Sequence, residues 1–201
     1  MLLSASAVRI ILLVNFLILQ FIWFFTSPLT IKNYLMKFEK PESLFVIIIT
    51  LVLYLQLTGI FNLSFTSNSL SPILKLTGLI INFSGLVLSV WAKMTLKENW
   101  GVPAQHNIKR QKNLVIKGPY SISRNPIYIG LFLFLAGFEI ALRSYLIIIL
   151  LPVGYLIYKA VLVEEKLLQN HFGKLYLKYQ KVTPRFLKIN LFQIFHQINF
   201  I

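Results

Sequence analysis

The sequence predicts an all-α integral membrane protein, a helical bundle of about five transmembrane helices with a C-terminal interfacial helix. Two observations carry that prediction. Of 201 residues, 57% are hydrophobic and only 13% are charged, too little polar surface for a water-soluble domain of this size. The apolar residues also fall in five runs, roughly 8–26, 44–61, 73–92, 127–143 and 144–163. Each is close to the ~17–25 residues that cross a bilayer. The length allows one domain, residues 1–201, in which 1–92 are scaffold spans and 93–201 hold a loop, the last two spans and a tail.

The first run is longer than the apolar core of a signal peptide and no A-x-A site follows it, so it reads as an anchor that stays. In the third run Gly78, Asn82, Gly85 and Ser89 recur at i, i+4, i+7 and i+11. They form a face of small and polar residues suited to close helix packing, or alternatively a strip that contacts substrate. Segment 93–126 is polar and broken by Gly101, Pro103, Gly118, Pro119 and Pro126. It is long for a helix connection, and Trp100, Leu114, Val115, Ile116 and Tyr120 would anchor it against the membrane face.

Only Arg143–Ser144 separates the fourth run from the fifth, which predicts a tight antiparallel hairpin. Pro152 and Gly154 predict a kink in the fifth helix, which then continues into "VLVEEKLLQNHFGKLYLKYQ". Beyond Pro184, Leu187, Leu191, Ile194, Phe195 and Ile198 share one helical face, with Asn190, Gln193 and Gln197 opposite. That is the pattern of a helix lying in the membrane interface.

Charge orients the chain. Lys32, Lys37 and Lys40 follow the first span, and Lys93, Lys97, Lys109, Arg110, Lys112, Lys117 and Arg124 follow the third. Lys166, Lys174, Lys178, Lys181, Arg185 and Lys188 lie in the tail, whereas the opposite side has only Arg9, Lys75 and Arg143. The positive-inside rule then places the N-terminus outside and the C-terminal tail in the cytosol. Topology and attraction to membrane lipids account for the net charge of +14 without a nucleic-acid partner. The absence of cysteine excludes disulfides and thiolate chemistry. His106, His171 and His196 follow no ligand spacing, so no metal is expected. No phosphate-binding glycine loop, dinucleotide fingerprint or nucleophile elbow is present.

The chemistry-bearing residues gather at one end of the hairpin. Arg124 and Tyr128 are one helical turn apart at the entry to the fourth span, and Glu164 and Glu165 end the fifth on the same side. Tyr176, Tyr179 and Arg185 follow in the tail. Ionisable groups at membrane depth are costly and are paired or functional. Taken alone, the cluster fits either an interfacial salt bridge from Arg124 to Glu164 or Glu165, or a functional pocket. Glu139 precedes Arg143 by four residues, the spacing of a helical ion pair, and is assigned no chemistry.

"LVIKGPYSISRNPIYIG", followed about 35 residues later by "EE", resembles the isoprenylcysteine carboxyl methyltransferase and phospholipid methyltransferase superfamily. The shared pattern is L-V-x-x-G-P-Y, R-H-P-x-Y-x-G, a hydrophobic stretch, E-E, and a tail F-G-x-x-Y-x-x-Y ending near P-R. Phe172, Gly173, Tyr176, Tyr179, Pro184 and Arg185 are that tail here, and the match covers 112–186. The resemblance implies S-adenosylmethionine as cofactor and a lipid-borne methyl acceptor, an isoprenylcysteine carboxylate or a phospholipid amine. It implies cofactor-binding roles for Lys112, Leu114, Val115, Gly118, Tyr120, Arg124, Asn125, Tyr128, Glu164 and Glu165. Among these Arg124, Glu164 and Glu165 would act in catalysis, and Tyr176, Tyr179 and Arg185 would serve the substrate or tail. On this reading Arg124 holds the cofactor's carboxylate bidentately. Asn125 and Lys112 stand where the pattern has histidines. Two other readings compete: a catalytically degenerate member that binds lipid, and an NADPH-dependent sterol-reductase-like enzyme. The G-P-Y and E-E elements follow the methyltransferase pattern, and binding of one cofactor over the other separates the readings.

Overall fold

The computed structural model describes residues 3–26, 41–61, 63–65, 70–99 and 112–187, with backbone alone for 41–46 and 98. The expected interfacial helix beyond Pro184 falls almost wholly outside these residues, as do Trp100, His106 and His196. The described chain is helical. Its extended pairing is one isolated antiparallel bridge between Ser64 and Ser144.

Helix α1 (Ala5–Phe25) starts at Ser4, whose side chain accepts from the Ala7 N–H at 3.1 Å and satisfies one open donor of the first turn. Helix α2 (Pro41–Thr58) ends at Gly59, where φ is +78°. Helix α3 (Ser71–Leu96) has Pro72 in its first turn, where no intrahelical N–H bond is lost. Helix α4 (Pro126–Leu142) again begins on a proline and ends on Arg143 in the left-handed region. A 3-10 turn, Tyr145–Ile149, leads into α5 (Leu150–Phe172), and Gly173 joins α5 to α6 (Lys174–Val182).

Three segments are long and apolar enough to cross a membrane: Ala5–Phe25, Ser71–Leu96 and Tyr145–Phe172. Ile47–Thr58 and Pro126–Leu142 are shorter apolar helices. The 17 residues of α4 reach about 26 Å at 1.5 Å per residue, a little under a typical hydrocarbon core.

The tightest packing joins α3 and α4. A Cβ at Gly78 would overlap the backbone of Ala141, and one at Gly137 the backbone of Asn82. Gly85 meets Phe134 and Gly130 in the same way, and Gly130 meets Ser89. The small face of α3 is therefore a packing surface, and α4 answers it with glycines of its own seven residues apart. Buried Asn82 donates to the Phe134 carbonyl at 2.8 Å and accepts from Asn15 of α1 at 2.8 Å. Val8, Leu12, Phe16 and Leu19 line one face of α1 and meet Leu79, Leu86, Phe134 and Phe138 in the core.

Two local expectations are corrected. The regular part of α5 starts at Leu150, which puts Pro152 in its first turn rather than mid-helix. There its missing N–H breaks no ladder, and the 3-10 turn takes up the irregularity that a kink would have supplied. Glu139 and Arg143 form no ion pair, because Arg143 leaves the helix in the left-handed conformation and its side chain leaves the i, i+4 row. Glu139 instead accepts from Gln56 of α2 at 3.0 Å.

Candidate functional site

The passage from Gly118 to Pro126 is shaped by its own sequence. Gly118 sits at φ +58°, a conformation that favours glycine, with Thr95 and Trp91 of α3 beside it. A 3-10 turn over Gly118–Ser121 follows, closed by Tyr120 N–H to the Lys117 carbonyl and by the Ser121 hydroxyl to the Gly118 carbonyl at 2.7 Å. Pro119 and Tyr120 are buried, and Tyr120 packs with Ala92, Ile127 and Val115. Asn99 fastens the approach by accepting from the backbone N–H groups of Lys112 and Asn113 at 3.0 and 3.2 Å.

The tail clamps this turn. The Arg124 N–H donates to the Pro184 carbonyl at 3.0 Å, and the Ser123 hydroxyl donates to the Arg185 carbonyl at 3.1 Å. The Tyr179 hydroxyl donates to the Tyr120 carbonyl at 2.5 Å. Arg124 Nη1 donates to the Gln180 carbonyl at 3.2 Å. Backbone polar groups that a membrane-side loop would otherwise leave open are thereby satisfied.

Glu165, only 4% exposed, is the centre of the clamp. Arg124 donates to it through Nε at 3.1 Å and Nη2 at 3.2 Å. Arg185 donates through Nε at 3.1 Å and Nη2 at 3.0 Å. The Asn125 amide adds a bond at 3.0 Å and uses the same nitrogen on the Arg185 carbonyl, also at 3.0 Å. A buried carboxylate is tolerable when it is met by this many donors. The bonds to Glu165 raise the Arg185 pKa further, so that side chain stays cationic, and its guanidinium lies 5.8 Å from the Tyr158 ring.

Glu164 is placed differently. It accepts from the Tyr128 hydroxyl at 2.8 Å through one oxygen, and no described hydrogen bond engages the other. Nearby, Tyr176 is 1% exposed and its hydroxyl has no partner. Burial first, then the charge of Glu165, raises its pKa above the ordinary tyrosine range, so it is a neutral donor. Burial raises Tyr179 in the same direction, with Arg124 acting against it. Among the described residues no group of three or more His or Glu side chains is placed to hold a metal.

The structure thus gathers Tyr120, Arg124, Asn125, Tyr128, Glu164, Glu165, Tyr176, Tyr179 and Arg185 at one end of the α4–α5 pair. Leu114 and Val115 are half-buried on the adjoining flank with Gly118, while the Lys112 side chain is exposed and no described contact ties it to the glutamates. The Arg124 fork is engaged by Glu165, the salt bridge that the sequence also allowed. Asn125 is held firmly, but its φ of −130° and ψ of 49° fall short of the extended conformation expected before proline. Sequence reasoning missed Ser123, Asn99, Tyr158 and the Gln180 carbonyl. Tyr158 alone had a signal, since it precedes Glu165 by seven residues on the same face of α5.

A model of the phospholipid methyltransferase family matches residues 74–175. The chain is also similar to the protein-S-isoprenylcysteine O-methyltransferase of Xenopus laevis, 32% identical over 117 residues. That alignment takes in 55% of this chain but spans 39% of the relative's length.

Proposed function

Because this chain belongs to the phospholipid methyltransferase family, we propose that it is an S-adenosylmethionine-dependent methyltransferase of the membrane, acting on a lipid-borne carboxylate or amine. The observation that carries the reading is the division between the adjacent glutamates. Glu165 is consumed by the clamp, whereas Glu164 meets one hydroxyl, that of Tyr128, and the buried hydroxyl of Tyr176 at the same end of the helix pair has no partner. A buried donor without a partner is costly and marks a place where a polar ligand group fits.

The cofactor, when bound, supplies a methyl group on a sulfonium sulfur. Glu164 would pair with the ammonium of its amino-acid end, oriented by Tyr128, and Tyr176 would donate to a polar atom of the same ligand. Leu114, Val115 and Gly118 would form the apolar edge that excludes water. A carboxylate acceptor needs no general base; an amine acceptor would have to arrive deprotonated. Arg124, Asn125, Glu165 and Arg185 position these groups by holding the Gly118–Pro126 turn to the tail.

In this reading the chain is a single domain that crosses the bilayer five times, with α2 and α4 as the short spans, the N-terminus outside and the tail cytosolic. A reporter fused after Ile201 is then cytosolic and one inserted near Asn68 external; the reverse at both sites would move the site to the other face. The activity test is the purified protein in detergent with isotopically labelled S-adenosylmethionine and a panel of prenylated peptides and phospholipids. Label in the lipid phase, lost in Glu164→Gln, is the expected result. Absence of both methyl transfer and cofactor binding by calorimetry would sink the reading.

A further inference from the structure

After Glu165 the chain contains no acidic residue, while Lys166, Lys174, Lys178, Lys181, Arg185 and Lys188 follow. The excess is placed on one side of α6. Tyr176, Tyr179 and Thr183, at i, i+3 and i+7, are buried against the site. Lys174, Lys178 and Lys181, at i, i+4 and i+7, are exposed, and at 100° per residue they lie on the opposite face. Beside them Leu175 is 63% exposed and Val182 80% exposed.

Gly173 sets the direction of this helix. Its φ of +54° and ψ of −124° suit glycine alone, and a Cβ there would meet nothing within 4 Å. The conformation, rather than crowding, requires glycine. The chain therefore breaks from the α5 axis as it leaves a membrane-spanning helix, presenting an apolar edge bordered by uncompensated lysines.

We propose that the outward face of α6 seats on the anionic phospholipid headgroups of the bilayer that holds α5. Leu175 and Val182 enter the acyl boundary, and the three lysines reach lipid phosphates. Both features are needed for this partner: lysines alone would suit any polyanion, and the apolar edge adjoining a spanning helix selects a membrane surface. Because the inward face carries Tyr179 and the Gln180 carbonyl, seating α6 also presses the clamp onto Tyr120 and Arg124.

The test is hydrogen exchange of full-length protein in nanodiscs, a readout independent of methyl transfer. Each lysine near an anionic leaflet strengthens attachment about fivefold, so amides of 174–182 should exchange at least about tenfold more slowly in discs that are about one-third phosphatidylglycerol than in phosphatidylcholine alone. High salt should narrow the difference. The combined variant Lys174→Gln, Lys178→Gln, Lys181→Gln should abolish it, and Lys→Arg at the same positions should restore it. Equal exchange in the two kinds of disc overturns the proposal. So does soluble polyglutamate giving the same protection in phosphatidylcholine discs while phosphatidylglycerol gives none, since the partner would then be an acidic protein.

Discussion

The α4–α5 hairpin has a buried glutamate near each end, and the two ends are closed by different means. At the site end, Glu165 receives five hydrogen bonds from Arg124, Arg185 and Asn125, all at 3.0–3.2 Å. At the turn end, Glu139 accepts from Gln56 at 3.0 Å and leaves Oε2 without a partner, as Arg143 leaves Nε and Nη1. There the backbone does the closing. The Phe65 N–H donates to the Arg143 carbonyl and the Tyr145 N–H to the Leu63 carbonyl, both at 3.0 Å. The partner segment 63–65 is as distant in sequence as the tail, yet plain backbone bonds suffice to hold it. The tail is joined to α4 by charges as well as by the Arg124 N–H to the Pro184 carbonyl, and those charges are costly until all are matched.

The largest expected effect comes from breaking the matched end. Glu165→Gln strands two guanidiniums, one of them only 9% exposed, and should cost about 3–5 kcal/mol of stability. Glu139→Gln, which keeps the shape and an acceptor for Gln56, should cost no more than about 1 kcal/mol. Thermal unfolding of both variants in one detergent checks the contrast; a greater loss at Glu139 would reverse it.

Glu164→Gln sharpens the contrast within the glutamate pair. Cofactor affinity should fall about 10- to 100-fold with stability changed by less than about 1 kcal/mol, the pattern of a lost bond to a charged ligand group. Stability falling as far as in Glu165→Gln, with affinity intact, would show that both glutamates serve the fold.

Tyr176→Phe should act more gently. Removing an unpartnered buried hydroxyl should leave stability equal or slightly raised, while cofactor affinity drops about 3- to 10-fold. Burial raises the folded pKa of this tyrosine above its unfolded value. Its contribution is therefore complete below about pH 10 and is lost as pH climbs towards the folded value. Alkaline melting curves of the parent should bend downward above that point more steeply than those of Tyr176→Phe.

The smallest effect is expected from Asn125→His. Turnover should stay within a few-fold, because the amide serves as a donor to Glu165 and the Arg185 carbonyl. A strong rise in activity with a new pH dependence near about 6.5 would instead mean that this chain lacks a titrating imidazole its site can use.

Much of this was legible beforehand. Run length and periodicity disclosed the helical membrane class, the α4–α5 hairpin, the packing face Gly78–Asn82–Gly85–Ser89 and the meeting of Arg124 with the glutamates. The answering glycines of α4, Gly130 and Gly137, were overlooked because a glycine every seven residues in an apolar helix looks incidental until its partner helix is known. The misplaced kink at Pro152 has a similar cause: proline is harmless in a first turn, and the position of that turn depends on how Arg143 and Tyr145 pair with Phe65 and Leu63.

What the sequence by itself determined is therefore set by local physics: hydrophobic length and helical period. Tertiary structure alone decided which of two adjacent glutamates is locked and which is left open. Neighbours on a helix point about 100° apart, so Glu165 faces the tail and Glu164 faces Tyr128. Nothing in "EE" distinguishes them. The distinction comes from Arg185 and the carbonyls of Gln180 and Pro184, groups whose positions relative to α5 exist only once the chain has folded back across Gly173.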